Sequence, residues 1–322
     1  QPVKSPPLPR SVAAAARAAL AQLAQASGLD ANSALEPRPL PEWGWYSPEN
    51  GVVIAPQQHD NDPLVVGTFF RSYLTAADTG PVDALIHAMR ERGFRALGIF
   101  APSFKELNAA NWVRQALQIS RPVIVINATA FSAHGKDGAS PLDAAGCPVF
   151  QVALSTAQKR DWEAAERGLS PADLAMHVVL PEVDGRLFAG VVSFKSAAER
   201  DPHLQFSRQI HQADPARIAA VADRVGAWHK VAITSAPERR LVMVLSTYPG
   251  RPDQMAHAVG LDALASTEVI LDDLKQNKYQ VTSTERSLPQ LLQTTEQTWP
   301  LVAYRAALAA LPEGLRQALE TA

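Results

Sequence analysis

The sequence predicts an α/β protein of two lobes, each with a mainly parallel sheet flanked by helices in a flavodoxin- or Rossmann-like arrangement. Three observations carry this. From Leu64 onward, short β-prone apolar runs alternate with stretches of helical periodicity, and strands separated by helices pair in parallel through right-handed crossovers. A second apolar run, Leu241–Leu245, ends in Ser-Thr-Tyr-Pro-Gly and is followed by a polar loop and a helical stretch from Leu261 to Leu274. That is the pattern of a buried parallel strand, a site-bearing loop and a helix. Finally, 322 residues of which 47% are hydrophobic suffice to fill two cores.

In chain order, Ser11 can cap a helix running to about Ser27, with Val12, Ala16, Leu20 and Leu23 on one face and Gly28 as its stop. The Pro- and Trp-rich stretch within 30–63 reads as an ordered, irregular segment. Strands are expected at 64–70, 96–101, 122–127 and 148–154, and helices at 81–92, 104–119 and 156–167. In the helix at 81–92, Pro81 suits the first turn, Val82, Leu85, Ile86 and Met89 make the apolar stripe, and Gly93 ends it. Residues 128–146 show no regular pattern, which inside a domain marks a functional or disordered loop. Ser170-Pro171-Ala172-Asp173 fits a short capped helix, and VVLPEVDGRLFAGVVSFK reads as strand, Asp184-Gly185 turn and strand. Asp214 and Pro215 open a helix burying Ile218, Val221, Val225 and Trp228, and further helices are expected from Ser287 and in the tail from Leu301. The expected divisions are therefore an N-terminal segment 1–63, a first α/β domain 64–178, a crossover between lobes 179–212 and a second, incomplete α/β domain 213–322.

With 30 Lys plus Arg against 32 Asp plus Glu, the net charge of −2 gives no electrostatic reason to expect nucleic acid or an anionic membrane as partner. The single cysteine, Cys147, excludes an intrachain disulfide and suits a buried structural thiol in a reducing compartment, most simply the cytoplasm. The N-terminal apolar run is Ala-rich and broken by Arg17, so it is neither membrane span nor signal peptide. The start at Gln1 with QPVKSPPLP reads as a trimmed piece of a longer chain. There is no GxxxxGK[ST] loop to cradle nucleotide phosphates, and no HExxH, metal-spaced Cys/His cluster, GxSxG elbow or GxGxxG. ATP hydrolysis, a tight metal site and serine-hydrolase chemistry are thereby disfavoured.

The candidate site is at the carboxyl ends of the strands, where open α/β sheets bind ligands. Arg71, Asn127, Thr129, His134, Tyr248, His257 and Asp262 would all emerge there. Arg71 is either a two-pronged carboxylate anchor or a structural arginine. His134, in Ala-His-Gly-Lys-Asp-Gly, is either a proton relay or a solvated loop residue, and His257 is open in the same way. Asp262 either faces the site or caps the next helix. Glu182 and Lys195 are polar residues closing apolar runs, where the carboxylate either accepts a proton if burial raises its pKa or joins an internal Glu–Lys or Glu–Arg pair. The other histidines, His177 and His211 among them, read as surface or satisfied core groups.

Five stretches in register resemble the large, CobN-type subunit of aerobic cobaltochelatase, a family that includes the large subunit of magnesium chelatase. They are FFRSYLTAADTGPVDALI (69–86), NATAFSAHGKDGASPLDAAGCPVFQVAL (127–154), RGLSPADLAMHVVLPEVDGRLFAGVVSFK (167–195), DPARIAAVADRVGAWHKV (214–231) and RRLVMVLSTYPGRPDQMAHAVGLDALASTEVIL (239–271). The resemblance implies an N-terminal-region fragment of a subunit that binds hydrogenobyrinic acid a,c-diamide and takes the cobalt ion as substrate. It implies that ATP is handled by partners, an AAA+ ATPase and a middle subunit, and that the acidic rim of the corrinoid meets Arg71, Arg186 or Lys195. The family's usual Gly-Asn-Ala-Val-Gly-Leu-Asp-Thr-Pro-Ala-Ser departs here at Ala256, His257, Ala263 and Leu264, and its His-Gly-Thr-x-Glu-x-x-Pro-Gly segment is absent, so the piece alone is not expected to chelate.

Overall fold

β-Branched and aromatic runs bounded by turn residues become strands here only where a neighbouring strand completes the ladder. The computed structural model describes residues 19–21, 23–28, 40–53, 62–135, 138–166, 168–197, 200, 205–246, 256, 260–282, 287–294 and 298–321. The chain divides into two units, Gln1–Ala232 and Ile233–Ala322.

The first unit is built on eight strands: β1 (Gly44–Ser47), β2 (Gly51–Val53), β3 (Leu64–Phe70), β4 (Arg95–Ala101), β5 (Ile124–Asn127), β6 (Val149–Leu154), β7 (Leu187–Ala197) and β8 (Gln209–Ala213). Their order across the sheet is β2-β1-β4-β3-β5-β6-β7-β8. The five strands β4-β3-β5-β6-β7 are parallel, while the β1–β2, β1–β4 and β7–β8 pairs are antiparallel. Counted along the chain, the parallel strands take the flavodoxin order 2-1-3-4-5, whose switch point falls between β3 and β5.

Helical residues 19–21 and 23–26 (α1) precede the sheet, with Gly28 at φ 75° after them, and the expected helix start at Ser11 lies outside the described residues. The helices α2 (Arg71–Thr75) and α3 (Gly80–Glu91) follow β3, and α4 (Leu107–Ser120) follows β4. In α3 the stripe Val82, Leu85, Ile86 and Met89 is buried as its spacing foretold. It packs, with Ile218, Val221, Ala222 and Val225 of α8 (Pro215–Ile233), on one face of the sheet around Phe69, Phe100 and Phe150. Ala109, Val113 and Leu117 of α4 cover the other face with Ala133 and Leu142. Each of the fully buried large side chains contributes roughly 1.5–3 kcal/mol.

Four expectations are corrected. The stretch 30–63 is not wholly irregular: an Asn50-Gly51 turn, Gly51 at φ 67°, folds β1 on β2 and buries Trp45 and Tyr46 against β4. The run Val178–Val183 is not a strand. Parallel β6 and β7 require a helical crossover, and the chain supplies it as α5 (Lys159–Ala164), α6 (Pro171–Leu174), a π-turn at Ala175–Val179 and α7 (Leu180–Val183). Residues 179–212 do not cross between lobes, because β7 and β8 complete the first sheet and α8 seals it. Trp228 of α8 is only half-buried, its ring edge-on to Phe150 at 5.5 Å.

In the second unit the described residues form α9 (Ala263–Gln276), α10 (Leu288–Thr294), α11 (Leu301–Ala309) and α12 (Glu313–Thr321), with a 3-10 turn at Ala236–Glu238 and no strand among them. The expected strand Leu241–Leu245 is therefore corrected too. Its residues join no ladder, and Val242 and Val244 are 89% and 85% exposed. A parallel strand needs paired neighbours and cover on both faces, and the described residues of this unit provide neither.

The tightest backbone approach in the core is at Gly98 of β4. A Cβ there would lie 2.8 Å from the buried Phe69 ring and 3.2 Å from Tyr46. We expect Gly98→Ala to lower stability by about 1–3 kcal/mol in urea unfolding, whereas Gly67→Ala, facing only a carbonyl at 3.8 Å, should cost less.

Candidate functional site

Polar residues that close an apolar strand must find partners, and at the carboxyl edge of this sheet they find one another. Asn127, the last residue of β5, is 2% exposed. Its Oδ1 accepts from Thr68 Oγ1 at 2.7 Å and Thr129 Oγ1 at 2.8 Å, and its Nδ2 donates to Gln151 Oε1 at 2.7 Å. Gln151 Nε2 in turn donates to the Thr129 carbonyl at 2.9 Å. One amide thus ties β3, β5, β6 and the loop after β5 together where the switch point opens.

At that switch point lies an open cleft of about 350 Å3. Phe70 closes β3, Ser103, Phe104 and Lys105 follow β4, Thr129–Ala133 follow β5, and Leu180 opens α7; all line it. Phe70 and Phe104 meet edge to face at 6.2 Å. Its far wall is pinned from a distance. Asp184, in the turn before β7, accepts from Ser132 Oγ and from the Ala133 backbone N–H, both at 2.6 Å, and pairs with His134 Nδ1 at 3.2 Å.

A second polar cluster sits over the same edge toward β8. Asp78 accepts from the His211 backbone N–H at 2.8 Å, meets His211 Nδ1 at 2.8 Å and pairs with Lys195 Nζ at 3.4 Å. Tyr73 stacks obliquely on His211, and burial together with Asp78 pushes its hydroxyl up to about 12. Nearby, Asp173 accepts from Ser155, Thr156 and the Thr156 backbone. His177, in the π-turn, is buried, and its Nδ1 has no hydrogen-bond partner among the described residues. Burial holds His177 below the usual histidine range, and it does the same to His211 despite Asp78.

The sequence-predicted residues are placed as follows. Asn127 and Thr129 meet in the buried network, Thr129 reaching the cleft, and His134 sits beyond it on Asp184. Arg71 donates to the carbonyls of Pro41 and Leu40 at 2.8 and 2.9 Å, holding the segment before β1. Glu182 is exposed on α7 rather than closing a strand, and Lys195 belongs to the Asp78 cluster. Arg186 is buried against Asp143 at 2.8 Å. Asp262 caps α9, accepting from the Ala265 N–H at 2.9 Å. Tyr248 and His257 lie outside the described residues. Burial pushes the Cys147 thiol up to about 11, in keeping with a structural role. Sequence reasoning missed Lys105, Ser103, Asp184 and the Asp78–His211 pair. The one available signal was that Ser103 and Lys105 directly follow a strand of the parallel set.

Three comparisons bear on this geometry. A family model described as CobN/Magnesium Chelatase matches residues 11–322. The aerobic cobaltochelatase subunit CobN of Sinorhizobium sp is 35% identical over 241 residues, 74% of this chain and 19% of that protein. The subunit of the same name from Pseudomonas aeruginosa is 29% identical over 88% of this chain and 24% of its own length. The catalytic subunit of cobaltochelatase from Mycobacterium tuberculosis shares the fold, with a TM-score of 0.70 over 92% of this chain and 26% of that one, at 24% identity. The chain thus spans about a quarter or less of the length of these relatives. Among the described residues no helix is long and apolar enough to cross a membrane.

The two buried histidines set a pH dependence. Below the unfolded value of 6.5, the unfolded chain binds protons that folded His177 and His211 refuse, so stability falls as pH drops from about 6.5 toward their lower folded values. Melting curves from pH 7.5 to 5 should show this loss, and His177→Gln should reduce it. An unchanged pH profile in that variant would mean that His177 takes up its proton in the folded state.

Proposed function

The chain belongs to the CobN/magnesium chelatase family, and from that premise we propose that it forms part of the tetrapyrrole-binding large subunit of a cobalt chelatase. On this reading the substrate is hydrogenobyrinic acid a,c-diamide, the metal is Co2+ brought in as second substrate, and the setting is cobalamin biosynthesis in the cytoplasm. ATP is used by an AAA+ ATPase and a middle subunit that assemble with it, consistent with the missing phosphate-cradling loop in this sequence.

The observation that carries the reading to particular residues is the cleft at the β3/β5 switch point. Its walls offer Phe70, Phe104, Phe131 and Leu180 to an apolar face, with Lys105, Ser103 and Ser132 as polar groups. A flat macrocycle with carboxylates around its rim matches that division. Apolar surface is removed from water along the rings, and the Lys105 ammonium meets a rim carboxylate as a point charge. At about 350 Å3 the cleft is near the lower end of small-molecule sites, so it encloses one edge of the macrocycle and leaves its metal-receiving centre accessible. The chain's role here is to orient and immobilise. Among the described residues no group of three or more His, Cys, Asp or Glu side chains is placed to hold an ion. Of the earlier candidates, Thr129 belongs to the wall, Asn127 and His134 support it, and Arg71, Glu182, Lys195 and Asp262 have the structural settings described above.

A second reading, a non-catalytic module that docks the ATPase partner, is favoured by the exposed Val242, Val244, Leu301 and Val302 of the second unit. Absorption titration separates the two. With hydrogenobyrinic acid a,c-diamide the 322-residue chain should give a saturable band shift below about 50 μM, roughly −6 kcal/mol of binding, and Lys105→Glu should weaken it about tenfold. No shift in that range, with ATPase-partner binding retained, would leave the docking reading in its place.

A further inference from the structure

Phe131 is held where an aromatic residue is normally not found. Its backbone lies in the left-handed region at φ 70°, which steric contact with Cβ makes costly for any residue but glycine. The residue is 49% exposed, lines the cleft and stacks on no other ring among the described residues. Folding that strains a backbone and leaves a large apolar ring in water is doubly unfavourable, and such conformations persist only where the surroundings enforce them. Here the enforcement is visible on both sides. The Phe131 N–H donates to the Met176 carbonyl at 2.8 Å, in the π-turn between α6 and α7. The next two residues are clamped to the buried Asp184 carboxylate by the 2.6 Å bonds from Ser132 Oγ and the Ala133 N–H. π-Turns inside helices recur at functional sites, and this one carries the carbonyl that fixes the strained residue.

The apolar exposure continues beside it. Leu180 shares the cleft, and Val179 and Val183 of the same crossover are 49% and 71% exposed. We infer that Phe131 is a stacking platform for one face of a planar macrocycle, with Leu180 beside it, and that Asp184 is the residue that positions it. This rests on the tetrapyrrole reading above and adds to it the residue that makes the face contact. A flat conjugated ligand accepts an aromatic ring in offset or edge-on geometry, and an already ordered platform avoids the entropy of ordering a loop on binding. The hydroxyl and amide bonds to Asp184 do not touch the ligand; they keep the ring aimed.

The strain supplies a test that a purely structural role would fail. Phe131→Gly relieves the left-handed backbone and removes the exposed ring. The variant should therefore melt higher, by about 2–4 °C, while binding hydrogenobyrinic acid a,c-diamide or the planar tetracarboxylate coproporphyrin about tenfold more weakly in the same absorption titration. Phe131→Trp keeps a platform and should bind within about threefold of the native chain, with indole fluorescence quenched by the bound porphyrin. Asp184→Ala should weaken binding without contacting the ligand, and combining it with Phe131→Gly should weaken it no further than Phe131→Gly alone, since the two act through one ring. Native-like affinity in Phe131→Gly, or a lower melting temperature in that variant, overturns the assignment of Phe131 while leaving the tetrapyrrole reading intact. Failure of the native chain to bind either ligand overturns both.

Discussion

The side-chain amide of Asn127 is the constraint on which the rest of this structure depends. A parallel sheet leaves its strand ends to be finished by whatever side chains stand there, and unpaired polar groups at that depth cost about 1–3 kcal/mol each. Asn127 satisfies Thr68 on β3, Gln151 on β6 and Thr129 in the following loop at once. Buried networks of this kind rigidify when every member is satisfied. Here the rigidity is placed at the β3/β5 switch point, so the loop walls of the cleft start from fixed positions. The chemistry proposed for the site, immobilising a flat substrate, needs that more than it needs any reactive group.

Much of the first sheet was legible in the residues because local and global preferences agree there. The stripe Val82, Leu85, Ile86 and Met89, with Pro81 ahead and Gly93 behind, specifies α3 on local grounds, and the structure buries the same four side chains. The apolar runs at β3, β4, β5 and β6 are similarly unambiguous, and a polar residue closing such a run, as Asn127 does, marks the strand end. What could not be read were features decided by distant partners. Trp45 and Tyr46 form a strand because β4 offers an edge to them. Val178–Val183 carries strand-like residues yet becomes helical, because two parallel strands must be joined by a crossover. Leu241–Leu245 has the composition of a buried strand and lacks the neighbours of one among the described residues.

The site divides along the same line. Thr129 and Asn127 follow from position at a strand end, while Asp184 is 52 residues from the Ser132 hydroxyl it holds and nothing in either local sequence joins them. Arg71 shows the converse. Its residue type and place after β3 suggested an anion fork, but the Pro41 and Leu40 carbonyls take its Nε and Nη2 donors. Strain at Phe131 is likewise invisible in the sequence, since Ala-Thr-Ala-Phe-Ser carries no glycine to announce a left-handed residue. A rigid edge, a clamped loop and a strained aromatic form one device, in which stability is given up locally to keep an apolar surface presented.

The most direct measurement is hydrogen–deuterium exchange of the chain with and without hydrogenobyrinic acid a,c-diamide. The expected result is slower exchange at 103–105 and 129–133, the loops leaving the carboxyl ends of β4 and β5, and no change at 92–95, the turn entering β4 on the opposite edge. Protection at 92–95, or protection confined to residues beyond 232, would contradict a binding face at the switch point.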